Sequence, residues 1–274
     1  MFKIPAKELE WKISSPQVMG ILNLTPDSFY EASRHANIES ALAQAHLFIQ
    51  EGASIIDIGA QSTRPGANME GAAIEIERLI PYIEAIAQVF PKQLISVDTF
   101  YASVAEAALK AGAHIINDIS CGAFDESILA VVAKNNAGYI GMHLTGGIDS
   151  MHKVETREDI IETVISYFQT KKKLLSKYGI NHWVIDPGFG FGKTVEENFT
   201  IVKKINELKM LELPILLGAS RKSSLYKTLG IESKGALNAT TVANTVALLK
   251  GADILRVHDV KEAAEIIQLL PYLQ

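Results

Sequence analysis

The sequence predicts an α/β fold, a single-domain (β/α)8 barrel of the TIM type. Three observations support this prediction: the length of 274 residues, a helix–glycine–strand unit that recurs along the chain, and eight short apolar segments separated by helical patterns. A barrel of this kind needs about 250 residues. Hydrophobic residues make up 48% of the chain, which is enough for a full-sized core.

The recurring unit occurs at residues 52–57, 112–117 and 251–256, where a glycine follows a helical stretch and precedes an apolar pair. Glycine can take the left-handed conformation that ends a helix, and the apolar pair then begins a buried strand. The predicted strands are Val18–Leu22, Ile55–Ile56, Leu94–Val97, Ile115–Ile116, Tyr139–Met142, Trp183–Ile185, Ile215–Leu217 and Ile254–Leu255. The predicted helices are Ile38–Glu51, Glu75–Val89, Ser103–Ala111, Glu126–Lys134, Ile160–Tyr178, Val195–Leu208, Leu237–Lys250 and Val260–Leu270.

Buried strands that alternate with helices predict parallel pairing through right-handed crossovers, and eight such units predict closure into a barrel. A doubly wound open sheet is the alternative, but it would show fewer strands and a glycine-rich first turn. Here the first strand is followed by Asn23-Leu24-Thr25-Pro26-Asp27, which is no dinucleotide motif. Since no linker interrupts the chain, we expect one domain over residues 1–274, with residues 1–17 as a short N-terminal extension.

Charge and composition exclude several classes of protein. The net charge of −5 gives no basis for a nucleic-acid surface, so an anionic substrate must be held by a few placed cations. Cys121 is the single cysteine, which excludes an intramolecular disulfide and suits a reducing compartment. The first residues contain no apolar signal segment, and no uncharged apolar run approaches the ~18 residues of a membrane helix. We therefore expect a cytoplasmic protein with no membrane partner.

Polar side chains stand where the buried strands end. In a β/α barrel these ends gather at one mouth, where active sites form. The residues concerned are Asn23, Asp57, Asp98, Asn117, Asp186, Arg256 and His258. Taken alone, Asp98 is more simply interpreted as the N-cap of the next helix, and Asp118 as another cap. The whole ring of polar ends is much less probable by chance and predicts a functional site.

Two loops strengthen this prediction. The loop at residues 61–66, with the sequence Gln-Ser-Thr-Arg-Pro-Gly, is too long and too polar for a simple turn. The loop at residues 186–193 places two phenylalanines among glycines, where backbone can approach a ligand closely. A flexible linker is the alternative, but it gives no reason to expose phenylalanine. The spacing of glycine and lysine does not match a phosphate-binding Walker loop.

Taken in order, these segments resemble the dihydropteroate synthase family over nearly the whole chain. The matching stretches are Gly20–Phe29 (GILNLTPDSF), Ile56–Gly59 (IDIG), Ser62–Ala67 (STRPGA), Ser96–Thr99 (SVDT), Asn117–Ile119 (NDI), Met142–His143, Asp186–Lys193 (DPGFGFGK), Ser220–Ser223 (SRKS) and Arg256–Val260 (RVHDV). So many ordered matches are far more specific than any single motif.

The resemblance implies an enzyme that joins 6-hydroxymethyl-7,8-dihydropterin pyrophosphate to p-aminobenzoate and releases 7,8-dihydropteroate and pyrophosphate. A carboxylate suits the aminopyrimidinone edge of a pterin, because it can accept two hydrogen bonds. The family match implies pterin contacts at Asp98, Asn117, Met142, Asp186 and Lys222. It implies pyrophosphate contacts at Asn23, Thr63, Arg64, Arg256 and His258. It implies p-aminobenzoate contacts at Phe29, Pro65, Phe191 and Ser223.

The resemblance also implies Mg²⁺ as the cofactor, with Asn23 as its protein ligand and most other positions filled by water and phosphate oxygens. An aniline-type amine is unprotonated at neutral pH, so the reaction needs no strong general base. Catalysis would then depend on stabilising the departing pyrophosphate and on positioning. The resemblance further implies a homodimer and a sulfonamide target. The implied catalytic residues are Arg256, His258, Lys222 and Asp98, while Asp57 lies close to them without an assigned role.

The sequence departs from the usual family pattern at Ala60, Gln61, Tyr101, Tyr30–Ser33 and Leu144–Met151. None of these positions is an assigned contact, so loop behaviour and rate are in question rather than the reaction class. Two other functions stay open. A pterin-binding methyltransferase barrel would not need the Ser-Thr-Arg-Pro-Gly or Arg-Lys-Ser segments. A protein that binds pterin without synthesis would not need the phosphate-type residues Thr63, Lys222, Arg256 and His258.

Overall fold

The computed structural model describes residues 1–24, 34–59, 71–144, 146–147, 150–151, 153–154 and 156–273, with the backbone alone for residues 34–36. Within these residues the strands are β1 (Phe2–Ala6), β2 (Leu9–Ile13), β3 (Gln17–Asn23), β4 (Ile55–Gly59), β5 (Leu94–Asp98), β6 (Ile115–Asp118), β7 (Gly138–Met142), β8 (Val184–Asp186), β9 (Leu216–Leu217) and β10 (Ile254–Val257). The α-helices are α1 (Arg34–Gln50), α2 (Ala72–Val89), α3 (Ala102–Ala111), α4 (Ser127–Lys134), α5 (Ile160–Lys177), α6 (Val195–Lys204), α7 (Ser223–Thr228), α8 (Leu237–Leu249) and α9 (Val260–Leu269).

Eight parallel strands form the barrel, in the order β8-β7-β6-β5-β4-β3-β10-β9. The barrel closes between the two ends of this order, where Ile185 of β8 bridges in parallel to Ile215, the residue before β9. The eight strands predicted from the sequence are therefore confirmed. The predicted helix from Val195 to Leu208 is shorter than expected, because α6 gives way to a 3-10 helix over Ile205–Leu211.

One apolar layer closes the N-terminal end of the barrel interior. Successive side chains point to opposite faces of a strand, so one residue from each barrel strand contributes to this floor. The floor residues are Met19, Ile55, Leu94, Ile115, Ile140, Val184, Leu216 and Ile254. All of them except Leu94 are fully buried, which makes the interior a packed core rather than a pore.

An antiparallel hairpin, β1 and β2, covers this floor from outside the barrel. Its side chains Ile4, Ala6, Trp11 and Ile13 pack against the floor residues. The hairpin can come this close because residue 138 is a glycine: a Cβ there would lie 2.9 Å from the Pro5 carbonyl oxygen and 3.3 Å from the Trp11 ring. Residues 1–17, expected as a short N-terminal extension, contain this hairpin and the first residue of β3.

The helices pack around the outside of the barrel and bury the outward-facing side chains of the strands. Most of the buried apolar residues belong to this layer, including Ile56 and Ile58 of β4, Val97 of β5 and Phe168 of α5. Among the described residues, none of the helices is both long and apolar enough to cross a membrane. Because the helices cover the side of the barrel and the hairpin covers its N-terminal end, the C-terminal ends of the strands form the open face.

Candidate active site

Two residues beyond the apolar floor, each strand or its continuation directs another side chain into the barrel. This second layer is largely polar. Its members are Ile21, Asp57, Ser96, Asn117, Met142, Asp186, Gly218 and Arg256. Asp57 and Arg256, two polar members of this layer that lie 199 residues apart in sequence, thus meet at one mouth. The polar side chains inside the barrel therefore lie in one layer above the apolar floor.

Arg256 lies between two carboxylates in this layer. Its Nε donates to Asp57 Oδ2 at 2.7 Å, and its Nη2 donates to Asp98 Oδ2 at 2.6 Å. Asp57 is fully buried and also accepts a hydrogen bond of 3.2 Å from Asn117 Nδ2. Burial opposes the charge on Arg256, but the pKa is raised overall because Asp57 and Asp98 outweigh that effect. The Nη1 group makes no hydrogen bond with any described residue, so one edge of the guanidinium stays available.

Asp98 is a second titratable group of the site. Burial raises its pKa to about 6, while Arg256 opposes the shift and Asp57 adds to it. A neutral Asp98 still accepts hydrogen bonds but no longer pairs ionically with Arg256. The charge balance around the guanidinium therefore changes near pH 6.

This pKa predicts a pH-dependent stability difference for Asp98→Asn. The unfolded pKa is about 4, so between pH about 4 and about 6 the folded protein holds more protons than the unfolded chain. The contribution of Asp98 to the free energy of unfolding falls as pH rises through this window, by roughly 1–3 kcal/mol, and the asparagine variant lacks this loss. Denaturant unfolding of both proteins at pH 4.5 and 7.5 measures the difference.

Asp159 supplies the matched control for this experiment. It caps α5 by accepting from the backbone nitrogens of Ile161 and Glu162, and these bonds lower its pKa. Asp159→Asn should therefore run parallel to the wild type between pH 4.5 and 7.5, and relative to the wild type it should lose stability only as pH rises through the range below about 4, the opposite sign from Asp98→Asn. If the wild-type and Asp98→Asn curves ran parallel across pH 4 to 7, the assignment of a raised pKa to Asp98 would be wrong.

Asp186 ends β8 with one carboxylate oxygen satisfied and the other open. Its Oδ1 accepts a 2.7 Å hydrogen bond from the Gly188 backbone nitrogen, whereas its Oδ2 makes no hydrogen bond with any described residue. A Cβ at Gly218 would lie 3.6 Å from this Oδ2, so the missing side chain leaves space beside it. Burial raises the pKa of Asp186, and Lys222 opposes the shift. The open oxygen is an acceptor that faces space inside the barrel mouth.

Lys222 binds the glycine-rich loop and interacts electrostatically with Asp186. Its Nζ donates to the Phe189 carbonyl at 2.6 Å and lies 4.0 Å from the centroid of the Phe191 ring. Gly190 makes this approach possible, because a Cβ there would lie 2.6 Å from Lys222 Cδ. Burial lowers the pKa of Lys222 to about 8, with Asp186 opposing the shift. At neutral pH the ammonium is therefore charged and lies between an aromatic ring and an acidic layer.

His258 lies at the end of β10 and contacts two further polar residues. Its Nδ1 is 3.0 Å from Ser220 Oγ, and its Nε2 is 3.4 Å from Asn23 Nδ2. Because an amide nitrogen only donates, these contacts suit a neutral ring with its hydrogen on Nδ1. The Asn23 oxygen is then directed away from the ring. His258 and Asn23 thus form one edge of the mouth together with Arg256.

Two simpler interpretations made from the sequence are wrong. Asp98 does not cap the next helix, since it pairs with Arg256 and the Ala102 nitrogen at the start of α3 donates to Asp125 instead. Asp118 does not cap a helix either, because it accepts from the backbone nitrogens of Ser120 and Gly122 and holds the loop after β6. In both cases a long-range partner or a tight loop competes successfully for the carboxylate.

Sequence reasoning assigned no role to two residues that the structure brings to the site. Ser220 contacts His258, which lies 38 residues away in sequence, because β9 and β10 are neighbours. Lys193 is buried and its Nζ donates to the carbonyls of Gly188 at 2.8 Å and Phe191 at 3.2 Å. The signal for Lys193 was its place at the end of a glycine-rich loop, whose carbonyls need donors.

Several predicted contacts lie outside the described residues: Phe29, Thr63, Arg64 and Pro65, together with the departures at Ala60, Gln61 and Tyr30–Ser33. The structure does describe Tyr101, which is partly buried and packs on Phe100 with ring centroids 4.4 Å apart. Met142 and Phe191 are buried in one apolar cluster near the mouth, and Ser223 is the exposed first residue of α7. The described members of the predicted set therefore lie around one opening.

Comparison with known proteins gives a consistent assignment. Residues 19–258 match the family model described as pterin binding enzyme. The dihydropteroate synthase of Synechocystis sp. is 42% identical over 255 residues, which cover 92% of this chain and 88% of that protein. The Xanthomonas albilineans dihydropteroate synthase with 4-aminobenzoic acid has a TM-score of 0.89 and 32% identity over 99% of this chain and 98% of that one. The Yersinia pestis dihydropteroate synthase with a sulfonamide drug has a TM-score of 0.91 and 36% identity over 99% of both chains. The chain therefore belongs to the pterin-binding enzymes and, within them, to the dihydropteroate synthases, the transferases of folate biosynthesis.

Proposed function

We propose that this chain condenses 6-hydroxymethyl-7,8-dihydropterin pyrophosphate with p-aminobenzoate, giving 7,8-dihydropteroate and pyrophosphate. The observation that supports this most directly is the open Oδ2 of Asp186 beside the space at Gly218, in the same layer as Arg256. An acceptor for a ring edge and a cation for a leaving group thus lie in one mouth. Family membership supports the same reaction.

In this proposal Asp186 accepts hydrogen bonds from the aminopyrimidinone edge of the pterin through its open Oδ2. Asn117 contributes its side-chain oxygen, because its Nδ2 is already bound to Asp57. Met142 provides an apolar surface for the ring. Asp98 and Lys222 flank the same space and balance its charge. The pterin is therefore recognised mainly by acceptors in the second layer of the barrel.

The pyrophosphate binds, in the proposal, at the edge formed by Arg256, His258 and Asn23. Arginine suits this role because its planar fork matches phosphate oxygens, and Nη1 is the donor that the two carboxylates leave available. Asp57 and Asp98 hold the fork in place before the substrate arrives. Thr63 and Arg64 belong to the same proposed contact set, and their sequence match alone supports them.

A Mg²⁺ ion fits the residues present at this edge. No group of three or more histidine, cysteine or acidic residues suited to a metal occurs among the described residues. The side-chain oxygen of Asn23 is one hard ligand, which suits an ion that keeps water and phosphate oxygens as its other ligands. When bound, Mg²⁺ would neutralise charge on the pyrophosphate. Asn23 is the residue that we propose as its protein ligand.

Reaction requires the bond between the exocyclic methylene carbon and the pyrophosphate oxygen to break, with the electron pair leaving on oxygen. The amine nitrogen of p-aminobenzoate then forms a bond to that carbon and loses a proton. The guanidinium of Arg256 opposes the negative charge that grows on the leaving oxygen, and His258 does so in its protonated form, in which both ring nitrogens are donors. Because the aryl amine is already unprotonated, the site needs no dedicated general base. The proposed catalytic residues Arg256, His258, Lys222 and Asp98 therefore act through electrostatics and positioning.

We assign the p-aminobenzoate pocket to the side of the mouth where Phe191 and Lys222 meet. The Phe191 ring offers an apolar wall, and the aliphatic stem of Lys222 lies beside it. The hydroxyl of Ser223, the residue after Lys222, is the proposed hydrogen-bond donor to the carboxylate. Phe29 and Pro65 complete the proposed walls by sequence match. The relative from Xanthomonas albilineans was solved with 4-aminobenzoic acid, which supports this choice of second substrate.

A homodimer is part of the proposal and is supported by an apolar stripe on the outer surface. Val242, Val246 and Leu249 are exposed on α8 at helical spacing. Phe199 is exposed on α6, which packs beside α8. Such a patch favours contact with a second copy.

The cytoplasmic location, like the single domain over residues 1–274, stays a prediction from the sequence.

One assay tests the proposed reaction. The purified protein is incubated with the pterin pyrophosphate, p-aminobenzoate and Mg²⁺, and dihydropteroate and pyrophosphate are quantified. We expect equal amounts of both products, dependent on both substrates. Pterin binding without product would favour a non-synthetic pterin protein, and activity with a methyl donor in place of p-aminobenzoate would favour a methyltransferase.

Gly218→Ala tests the assignment of the pterin space. A Cβ at this position would lie 3.6 Å from Asp186 Oδ2 and 4.0 Å from the Arg256 side chain, which are ordinary contacts, so the fold should persist. The added methyl would occupy space that the ring edge needs, so KM for the pterin pyrophosphate should rise about tenfold or more. KM for p-aminobenzoate should change little.

Gly235→Ala is a matched control, because Gly235 is exposed and a Cβ there meets only the Ile231 side chain at 3.8 Å. Steady-state kinetics with each substrate varied in turn supplies the measurement. An unchanged KM for the pterin in a folded Gly218→Ala protein would place the ring edge elsewhere.

A further inference from the structure

Asn198 on α6 is a completely buried amide that the proposed reaction does not use. Its Oδ1 accepts a 2.6 Å hydrogen bond from the Gly190 backbone nitrogen. Its Nδ2 donates to the Thr194 carbonyl at 2.8 Å and to Ser224 Oγ at 3.0 Å. One side chain therefore connects the glycine-rich loop after β8 with the first turn of α7.

The chemistry of its partners fixes the orientation of this amide. The Gly190 nitrogen can only donate and must meet the oxygen, whereas the Thr194 carbonyl can only accept and must meet the nitrogen. Ser224 Oγ is consequently an acceptor for Nδ2. An aspartate of the same shape would place an oxygen against the Thr194 carbonyl. The site thus specifies asparagine rather than any small polar residue.

The two segments that Asn198 connects carry the two sides of the proposed p-aminobenzoate pocket. Gly190 precedes the Phe191 wall and lies against the Lys222 side chain. Ser224 follows Ser223, the proposed donor to the carboxylate. Through these bonds Asn198 links the loop that carries the wall to the helix that carries the anchor.

Anchoring of α6 itself does not require Asn198. Thr194 and Glu197 form a reciprocal capping box at the start of the helix. Glu197 is also paired with Arg157, with the two side chains 8% and 10% exposed. Because these contacts hold the helix end independently, the bond from Asn198 to Ser224 is left with the role of setting the distance between loop and helix.

We propose that Asn198 and Ser224 form a positioning pair that sets the length of the p-aminobenzoate pocket. The second substrate is a rigid ring with an amine at one end and a carboxylate at the other, so the pocket must hold a fixed distance between wall and anchor. A positional isomer with its amine in the meta position would not match this distance. The inference rests on the proposed function, and it assigns selectivity to residues that do not touch the substrate.

Ser224→Ala is the sharpest test, because it removes one hydroxyl and keeps every contact of Gly190. We expect KM for p-aminobenzoate to rise about three- to tenfold, as loss of one buried hydrogen bond predicts, while KM for the pterin pyrophosphate stays unchanged. The preference for p-aminobenzoate over m-aminobenzoate, as a ratio of kcat/KM, should fall by a similar factor. Asn198→Ala should give at least the same effect, and the double variant should be no worse than Asn198→Ala.

Thr228→Val is the matched control on the same helix. Thr228 is exposed, and its hydroxyl donates to the Ser224 carbonyl without bonding to the glycine-rich loop or to any other described residue. It should leave both KM values and the isomer preference unchanged. The inference is overturned if Ser224→Ala lowers the melting temperature yet leaves both KM values and the isomer ratio at wild-type levels, or raises both KM values equally. A wild-type protein that forms no dihydropteroate would instead contradict the proposed function.

Discussion

Replacing Asp186 with asparagine is expected to weaken pterin binding by about 10- to 100-fold, the effect of losing a buried charged acceptor worth ~1.5–3 kcal/mol. In the folded protein Oδ1 is bound to the Gly188 nitrogen, so the asparagine oxygen should keep that bond. Its amide nitrogen then takes the place of the open Oδ2. A donor would face the donors of the pterin edge. Calorimetric titration with 6-hydroxymethyl-7,8-dihydropterin measures the loss.

The change should leave the fold intact, because the Gly188 bond persists and burial already raises the pKa of Asp186. Thermal unfolding of the variant provides the control for folding. A folded Asp186→Asn protein with wild-type pterin affinity would remove Asp186 from the binding site.

Arg256→Lys is expected to reduce kcat by about 10²- to 10³-fold, the range typical of losing one preorganised donor to developing charge. Arg256 uses Nε and Nη2 for Asp57 and Asp98 and keeps Nη1 available. A single ammonium cannot bridge both carboxylates and a phosphate in the same way. Affinity for a pterin that lacks pyrophosphate should change less than about threefold. Steady-state kinetics and calorimetry separate the two effects.

Lysine is the better replacement than alanine, because alanine would leave the buried Asp57 without its cation and would destabilise the protein by roughly 3–5 kcal/mol. The Arg221–Asp259 pair, with a separation of 2.7 Å, offers a control on the neighbouring loops. Arg221→Lys should keep most of its turnover. Equal losses for the two lysine variants, or an unchanged kcat in Arg256→Lys, would show that Arg256 does not act on the leaving group.

Local patterns in the sequence were sufficient for the barrel. Three strands follow a glycine that ends a helix, at Gly52, Gly112 and Gly251, and all three glycines adopt the left-handed conformation expected of them. The sequence did not reveal the N-terminal hairpin, because its alternation of buried apolar residues with Lys3, Pro5, Glu10 and Lys12 extends over only five residues in each strand. The burial of its apolar face depends on the floor of the barrel, which strands from the rest of the chain form.

The site divides in the same way. Which residues stand at strand ends is a one-dimensional property, and the ring from Asn23 to His258 followed from it. Their pairing cannot be inferred from local sequence, because Arg256 binds Asp57 across 199 residues and Asp98 across 158. A lone Asp98 before a helix is locally indistinguishable from a cap, and only barrel closure supplies the arginine. The Asn198 bridge to Ser224 depends in the same way on helices that closure brings side by side.

The hairpin that plugs the barrel also constrains the order of folding. Trp11 and Ile4 pack on residues as distant in sequence as Leu216 and Ile254. During synthesis the hairpin emerges first, yet the floor on which it packs is complete only after the last strand has left the ribosome. Such long-range contacts come with a high loop-closure cost. The first segment made is thus expected to dock last, and the completed barrel is the state in which the amides of residues 2–13 first gain protection from hydrogen exchange.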